Sequence, residues 1–348
     1  MAKINVGLVG YGLSGQTFHA PLLTVLNDFE IVKVVSSKID KVKQDLGEIE
    51  VVSRLEDILA DSQIHLIVIT TPSGLHYEMA KQSLLAGKHV ILEKPMVVRV
   101  SEGEELIKIA NERNLLLSVY HNRRWDNDYV TIKNLINEGV LGEINTYQAH
   151  FDRYRPVVRD RWKENEGPGS GSLYDLGSHL IDQALHLFGE PHFVWADVFG
   201  QRTHAKTDDY FHIVLGYRDN LRVILHSGAV VLNAGPRFQV HGSRGSFIKY
   251  GIDGQEDALK AGLKPIDSTW GADNPEFYGK LVIVKEEQEE HTVVPTLKGS
   301  YLTYYKDIAR SLLQGVKLPV TAEDGLTVIK IIDAALKSSI EKSVVYMD

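Results

Sequence analysis

Val9-Gly10-Tyr11-Gly12-Leu13-Ser14-Gly15-Gln16-Thr17-Phe18-His19 follows an apolar run from Ile4 to Val9, and its reading decides the fold. Gly10, Gly12 and Gly15 fit G-x-G-x-x-G, a weak pattern alone because glycines recur in turns. Here a strand pattern precedes it and a helical pattern follows. Gly10 then permits the tight turn, Gly12 lets the backbone approach a pyrophosphate, and Gly15 lets the helix sit close to the sheet. Phosphates would meet the free N–H groups and positive end of that helix. Gly10, Gly12, Leu13 and Gly15 are therefore read as a dinucleotide cradle.

The second strand should end with the residue that reads the adenosine ribose. An acid there bonds the 2′-hydroxyl of NAD and repels a 2′-phosphate. The sequence instead has "VVSSKID", with Ser36, Ser37 and Lys38 at the strand end and Asp40 only later. Two hydroxyl donors and an ammonium suit a phosphate dianion, so NADP(H) is expected ahead of NAD(H). The alternative is a plain polar strand end with Lys38 in solvent, which would leave little preference between the nucleotides.

Working outward, short apolar runs alternate with amphipathic helical stretches from Ile4 to about Tyr120. That alternation marks a parallel sheet with crossover helices. The strands read are Ile4 to Val9, Glu30 to Ser36, Glu50 to Ser53, His65 to Thr70, His89 to Glu93 and Leu115 to Tyr120. Ser101, with Glu104 three residues later, reads as a capping box. After about Arg124 the pattern changes to one helix and then a long strand, Glu143 to Tyr154. Further strands follow without intervening helices: Phe193 to Arg202, Asp209 to Tyr217, Arg222 to Leu232, Arg237 to Gly242 and Ser246 to Tyr250. Residues 251 to 280 form a Gly- and Pro-rich excursion, "KEEQEEH" reads as a solvated hairpin turn, and two helices, about Tyr301 to Leu313 and Glu323 to Lys337, close the chain. The expected architecture is an α/β Rossmann domain, a doubly wound parallel sheet over residues 1–122. An α+β domain with an open, mostly antiparallel sheet follows over 123–348, its last helices packing back on the first.

The length of 348 residues agrees with two domains. A net charge of -8 offers no basic footprint for nucleic acid or an anionic membrane surface. The absence of cysteine removes disulfides, thiolate nucleophiles and Cys-ligated metals. Met1-Ala2-Lys3 runs straight into a strand pattern, leaving no room for a leader, and no apolar run reaches the ~18 residues of a membrane span. A cytoplasmic protein without nucleic-acid or membrane partners is expected.

A cofactor domain does not define a reaction; the site does. "LEKPM" places Lys94 at the C-terminal end of the fifth strand, where open α/β sheets bind ligands, with Pro95 fixing the turn. An ordinary surface lysine is the competing reading. "GPGSGSLYDLGSHLIDQALHLFG" sets Asp175 and His179 four residues apart on one helical face, opposite Leu180, Ile181, Ala184, Leu187 and Phe188. Histidine can exchange a proton near neutral pH beside an orienting carboxylate, although a plain helix-surface hydrogen bond fits the spacing equally. The approach from Gly167 to Gly171 would allow close packing against a bound ring. Asp182 and His186 continue the stripe, but His179 and His186 are about 10 Å apart along a helix, too far for one ion, so no metal is expected.

"GLVGYGLSGQTFHAP", "TTPSGLHYEMAKQSLLAGKHVILEKP", "SVYHNRRWD", "LGEINTYQAHFDRYRP" and the "DLGSH" helix together resemble the glucose-fructose oxidoreductase, inositol dehydrogenase and MocA family across nearly the whole chain. The resemblance implies hydride transfer between a polyol or sugar-like substrate and a nicotinamide, with Lys94, Asp175 and His179 as catalytic residues. It also implies that Thr71, Pro72, His76, Glu93 and Trp162 line the cofactor and that Asn122 and Arg123 fall at the substrate. Arg153, Tyr154 and Arg155 supply donors for a polyhydroxylated ring, or equally for a phosphate or carboxylate. "FHAPLL", "HNRRWD", "HFDRYRPVVRDRW" and "VHGSRGS" are most similar to the NADP-dependent scyllo-inositol dehydrogenases of the family. The rival readings are another sugar dehydrogenase of the family and a dinucleotide-dependent ligand sensor without chemistry. A homo-oligomer, dimer or tetramer, through the open sheet face is expected alongside any of them.

Overall fold

The computed structural model describes residues 3–347, so the reading of Met1 and Ala2 lies outside the described residues. The chain divides into two compact units. The first contains residues 1–122, 255–270 and 300–326. Its strands are β1 (Ile4–Val9), β2 (Phe29–Val35), β3 (Glu50–Val52), β4 (Leu66–Ile69), β5 (His89–Leu92) and β6 (Leu117–Val119). They lie in the order β3-β2-β1-β4-β5-β6, and every pair is parallel. β4 is buried along its whole length, as a parallel strand covered on both faces requires. This is the doubly wound sheet read from the sequence. The reversal of strand order falls between β1 and β4, so the loops after these two strands flank the crevice where such sheets take ligands.

Within the 123–348 span expected for the second domain, residues 255–270 and 300–326 join the first unit. Side-chain hydrogen bonds between residues far apart in sequence explain this. The buried Tyr304 hydroxyl meets Ser118 Oγ at 2.9 Å, and Ser118 Oγ also donates to Val320 O at 2.7 Å. Tyr305 Oη lies 2.5 Å from His19 Nδ1. Gln255 Oε1 accepts from both Trp270 Nε1 and Tyr301 N at 2.9 Å, tying the two later segments together. The helix after β5 also starts differently from expectation. It spans Val100–Glu112, and Glu102 rather than Glu104 turns back to accept from Arg99 N at 3.1 Å and Val98 N at 3.2 Å.

The second unit contains residues 123–254, 271–299 and 327–348. Its strands are β7 (Ile144–His150), β8 (Phe193–Phe199), β9 (Tyr210–Gly216), β10 (Arg222–Gly228), β11 (Phe238–Gly242), β12 (Gly245–Lys249), β13 (Gly279–Lys285), β14 (Gln288–Val294) and β15 (Val345–Tyr346). The sheet order is β14-β13-β12-β11-β7-β10-β9-β8-β15, antiparallel except where β7 meets β10. β9 and β10 alternate buried and half-buried residues, so one face carries the core and the other is open. Phe211, Ile213, Leu215, Val223 and Leu225 face the core. The acidic stretch is the expected hairpin turn. Glu286 and Glu287, both at positive φ (50° and 65°), join β13 to β14, as a two-residue type I′ connection requires.

Candidate active site

In the first unit, Gly10 sits at φ 95°, and Thr70 Oγ1 donates to its carbonyl at 2.9 Å. A Cβ on Gly15 would lie 2.3 Å from Gly10 O, so only glycine lets this helix approach so closely. A Cβ on Gly12 would meet no atom within 4 Å, and Leu13 beside it is 63% exposed. The turn thus leaves open space above Gly12 where a pyrophosphate would lie, and the donor set fits a dinucleotide. The helix opens with a π-helical turn, Ser14–His19, a widened geometry that recurs at functional sites. At the end of β2, Ser36 is half-buried and Ser37 and Lys38 are exposed. Ser36 Oγ accepts from Lys38 N at 3.0 Å, which curls the chain so that its residues cluster at the strand end.

Glu93 and Lys94 follow β5. Glu93 is buried, and its Oε2 accepts from Lys94 N at 2.8 Å while Oε1 lies 3.1 Å from His19 Nε2 and accepts from Ser14 Oγ. Burial alone would raise its pKa, but the His19 hydrogen bond, the His19 and Lys94 charges and the Ser14 hydroxyl outweigh it and hold the carboxyl at about 2. An ionised Glu93 therefore braces the backbone that carries Lys94, which is half-buried and joined to Pro95 by a cis peptide. His76, read as lining the cofactor, is fully enclosed instead. Its ring nitrogens each lie 2.9 Å from a carbonyl, Nδ1 from Pro95 O and Nε2 from Thr71 O. It links the loop after β4 to the Lys94–Pro95 turn, and burial pushes its pKa down. Thr71 is half-buried and Pro72 exposed on that loop. Asn122, half-buried, is the last residue before the second unit.

In the second unit, Asp175 lies in a π-helical turn, Leu173–Gly177, that runs into the helix Ser178–Phe188 carrying His179. Asp175 lines a cleft together with Arg153, Arg155, Arg161, Lys163, Glu164, Arg202 and Asp208. Lys163 Nζ donates to Asp175 Oδ1 at 2.5 Å, a partner that the sequence reading missed. Arg202 is held by Glu164 at 3.0 Å and Asp209 at 2.7 Å, and Arg161 by Glu164 at 2.5 Å. Burial, with Arg161 and Arg159 nearby, pushes Arg155 below its ordinary value, so a partner rich in acceptor oxygens would be well received. His179 is 6% exposed at the start of its helix.

Other residues expected to contact ligands stand as follows. Arg123 is 5% exposed, donates to Asp126 Oδ2 at 3.0 Å and lies 4.9 Å over the Phe151 ring, so its guanidinium is engaged in the core. Tyr154 does not line the cleft. Extended residues alternate sides, so Arg153 and Arg155 share the cleft while Tyr154, bridged to Val230, faces away and is 54% exposed. Trp162 is 42% exposed in a single turn, Trp162–Glu164, with Lys163 Nζ 5.6 Å over its ring. Gly171, at φ 94°, makes room for Asp208 rather than for a bound ring, because a Cβ there would lie 1.9 Å from Asp208 Oδ1. Asp182 accepts from Arg124 Nη2 at 2.7 Å, and His186 Nδ1 lies 2.7 Å from the Tyr129 hydroxyl. Those two partners of the weighed metal reading are spoken for.

Burial raises the Asp208 carboxyl to about 6, against the backbone hydrogen bonds from Leu173 and Ser172 and that from the Thr207 hydroxyl. A carboxyl raised in the folded chain binds its proton more tightly there, so folding loses stability as pH climbs from about 4 through 6. Asp208→Asn should lack that loss. Its melting temperature relative to wild type is expected to rise between pH 4 and pH 7.5 in scanning calorimetry, and a pH-independent difference would contradict the assignment.

Residues 4–121 match the model of the oxidoreductase family, NAD-binding Rossmann fold, and residues 133–347 match its C-terminal alpha/beta domain. The chain belongs to this family, that of glucose-fructose oxidoreductase, inositol dehydrogenase and MocA. It is 55% identical over 345 residues, 99% of this chain and 96% of the relative, to scyllo-inositol 2-dehydrogenase (NADP(+)) IolW of Bacillus subtilis. It is 43% identical to the uncharacterized oxidoreductase YdgJ of Escherichia coli, covering 97% of this chain and 96% of the relative. Among solved structures, the oxidoreductase yvaA of Bacillus subtilis superposes with a TM-score of 0.97 at 55% identity, covering 99% of both chains. The YPO2259 oxidoreductase of Yersinia pestis gives 0.95 at 41% identity, covering 99% of this chain and 97% of that one.

Proposed function

We propose that the protein is an NADP(H)-dependent dehydrogenase that interconverts a secondary alcohol of a cyclic polyol, scyllo-inositol, and its ketone. The observation that carries this reading is the 55% identity, over 99% of the chain, to an NADP-dependent scyllo-inositol dehydrogenase. The chain's own chemistry supports it through the glycine turn open above Gly12, the end of β2 without a carboxylate, and a cleft rich in hydrogen-bond donors around Asp175.

The dinucleotide would be held by Gly10, Gly12, Leu13 and Gly15 at its pyrophosphate and by Ser36, Ser37 and Lys38 at its 2′-phosphate. When bound, the nicotinamide supplies the hydride acceptor or donor. His179 takes the hydroxyl proton in oxidation and returns it in reduction. Lys94 donates a hydrogen bond to the alcohol oxygen as it gains negative charge. Asp175, steadied by Lys163, orients the substrate and the imidazole. Arg153 and Arg155 offer donors to the remaining hydroxyls.

The test is to incubate the purified protein with NADP+ or NAD+ against a panel of inositols and sugars while following absorbance of the reduced nicotinamide. Turnover of scyllo-inositol with NADP+ is expected. Turnover of a hexose alone would keep the family and remove the substrate, and nucleotide binding without any turnover would favour a sensor. Lys38→Glu tests the cofactor arm separately. Losing a charge-assisted bond worth about 1.5–3 kcal/mol should raise the KM for NADP+ roughly 10- to 100-fold, with NAD+ little affected. An unchanged ratio of the two would place Lys38 in solvent.

A further inference from the structure

We propose a divalent transition-metal site, with zinc(II) as the ion to test, on the open face of the second sheet, held by His150, Asp152 and His226. β7 and β10 run parallel with His150 opposite His226, so the two imidazoles stand side by side on one face. Asp152, two residues beyond His150, returns to that face, and one ligand atom from each of the three lies within 4.8 Å of the others. His150 Nδ1 is 3.4 Å from Asp152 Oδ2, and His226 Nε2 is 3.4 Å from Asp152 Oδ1.

Those separations suit a shared ion better than direct hydrogen bonds. An N–H···O bond usually spans roughly 2.7–3.2 Å. Ligands placed tetrahedrally at ~2.0–2.1 Å from zinc are about 3.3 Å apart. The three ligand atoms lie within 4.8 Å of one another, so rotation of the two imidazoles about their side-chain bonds would bring them onto one centre.

The surroundings also hold the carboxylate in place. Gly228 N donates to Asp152 Oδ1 at 3.0 Å and fixes the carboxylate, as outer partners of metal ligands do. The Asp152 side chain is 7% exposed, and the imidazoles of His226 and His150 are 16% and 23% exposed. Two nitrogens and one oxygen suit zinc and its neighbours rather than calcium or magnesium. The ion would clip β7 to β10 and keep a position open to water. This site is separate from the Asp175 cleft, because Arg153 and Arg155 leave the chain on the opposite side from Asp152.

The test uses the full-length protein stripped of metal, equilibrated with buffered micromolar free zinc(II), washed and assayed for bound metal. The comparison proteins are His150→Gln, Asp152→Asn and His226→Gln, with His291→Gln, from the exposed His291–Glu289 pair, as a surface control. One zinc per chain is expected in the wild type and the surface control, and at least about tenfold weaker retention in the other three. X-ray absorption of the wild-type zinc complex needs no variant and should show two imidazoles and oxygen at ~2.0–2.1 Å. No retained zinc in the wild type would overturn the proposal, as would equal retention in all folded variants or a zinc shell of water oxygens alone.

Discussion

His179→Gln is expected to lower kcat by about 10²- to 10⁴-fold, the range that a positioned general acid–base contributes, while leaving NADPH affinity close to wild type. The split follows from where the residue sits. His179 belongs to the second unit, on the helix Ser178–Phe188, whereas the glycine turn and the end of β2 belong to the first. Removing the imidazole therefore leaves the nucleotide's proposed contacts intact and removes the group proposed to exchange the hydroxyl proton. Because His179 is 6% exposed, glutamine is preferred to alanine, so that lost packing does not add a stability effect to the kinetic one. Fluorescence titration with NADPH and a melting curve separate the two. A kcat within about threefold of wild type would remove His179 from proton transfer, since even weak general catalysis exceeds that.

The candidate site was legible in the sequence where the governing interactions are local. The glycine turn depends on a few consecutive residues between a strand and a helix, and Gly10, Gly12 and Gly15 stand where that pattern requires them. The parallel, doubly wound sheet followed from alternation of apolar runs and helices, a property of neighbouring residues. What stayed hidden depends on distant partners. Tyr304 and Tyr305 draw a late segment into the first unit by meeting Ser118 and His19, which lie far upstream. Arg123 lies over the ring of the distant Phe151, a contact with no periodic signature. Tyr154 is a different kind of miss. Strand alternation alone puts Arg153 and Arg155 on one side and Tyr154 on the other, and that signal was present in "FDRYRP". Lys163 was likewise visible in "RDRWKE", but only the folded loop brings it to Asp175.

Gly15→Ala and Gly12→Ala should fail in opposite ways, and the contrast isolates what the glycine turn does. A Cβ at position 15 would stand 2.3 Å from Gly10 O and 2.8 Å from Thr70 Oγ1, with Gly10 C at 3.2 Å. Two of these atoms are backbone and cannot swing aside, so the helix must move off the sheet or the turn must open. Either movement disturbs the Thr70 Oγ1 to Gly10 O bond of 2.9 Å and the Gly10 N to Val35 O bond of 3.0 Å that hold the turn against β4 and β2. Overpacking of this kind costs about 1–3 kcal/mol, so Gly15→Ala should lower the melting temperature measurably and weaken NADPH binding with it. At position 12 an added methyl meets nothing within 4 Å, so the fold should melt at the wild-type temperature. The methyl would nonetheless occupy the space proposed for the pyrophosphate, where close approach of phosphate oxygens to backbone N–H groups would be the source of affinity. Gly12→Ala is therefore expected to bind NADPH at least about tenfold more weakly with no loss of stability. Equal NADPH affinity in the Gly12 variant and wild type would mean that the phosphates pass elsewhere, and an unshifted melting curve for Gly15→Ala would mean that the turn has slack the geometry does not allow.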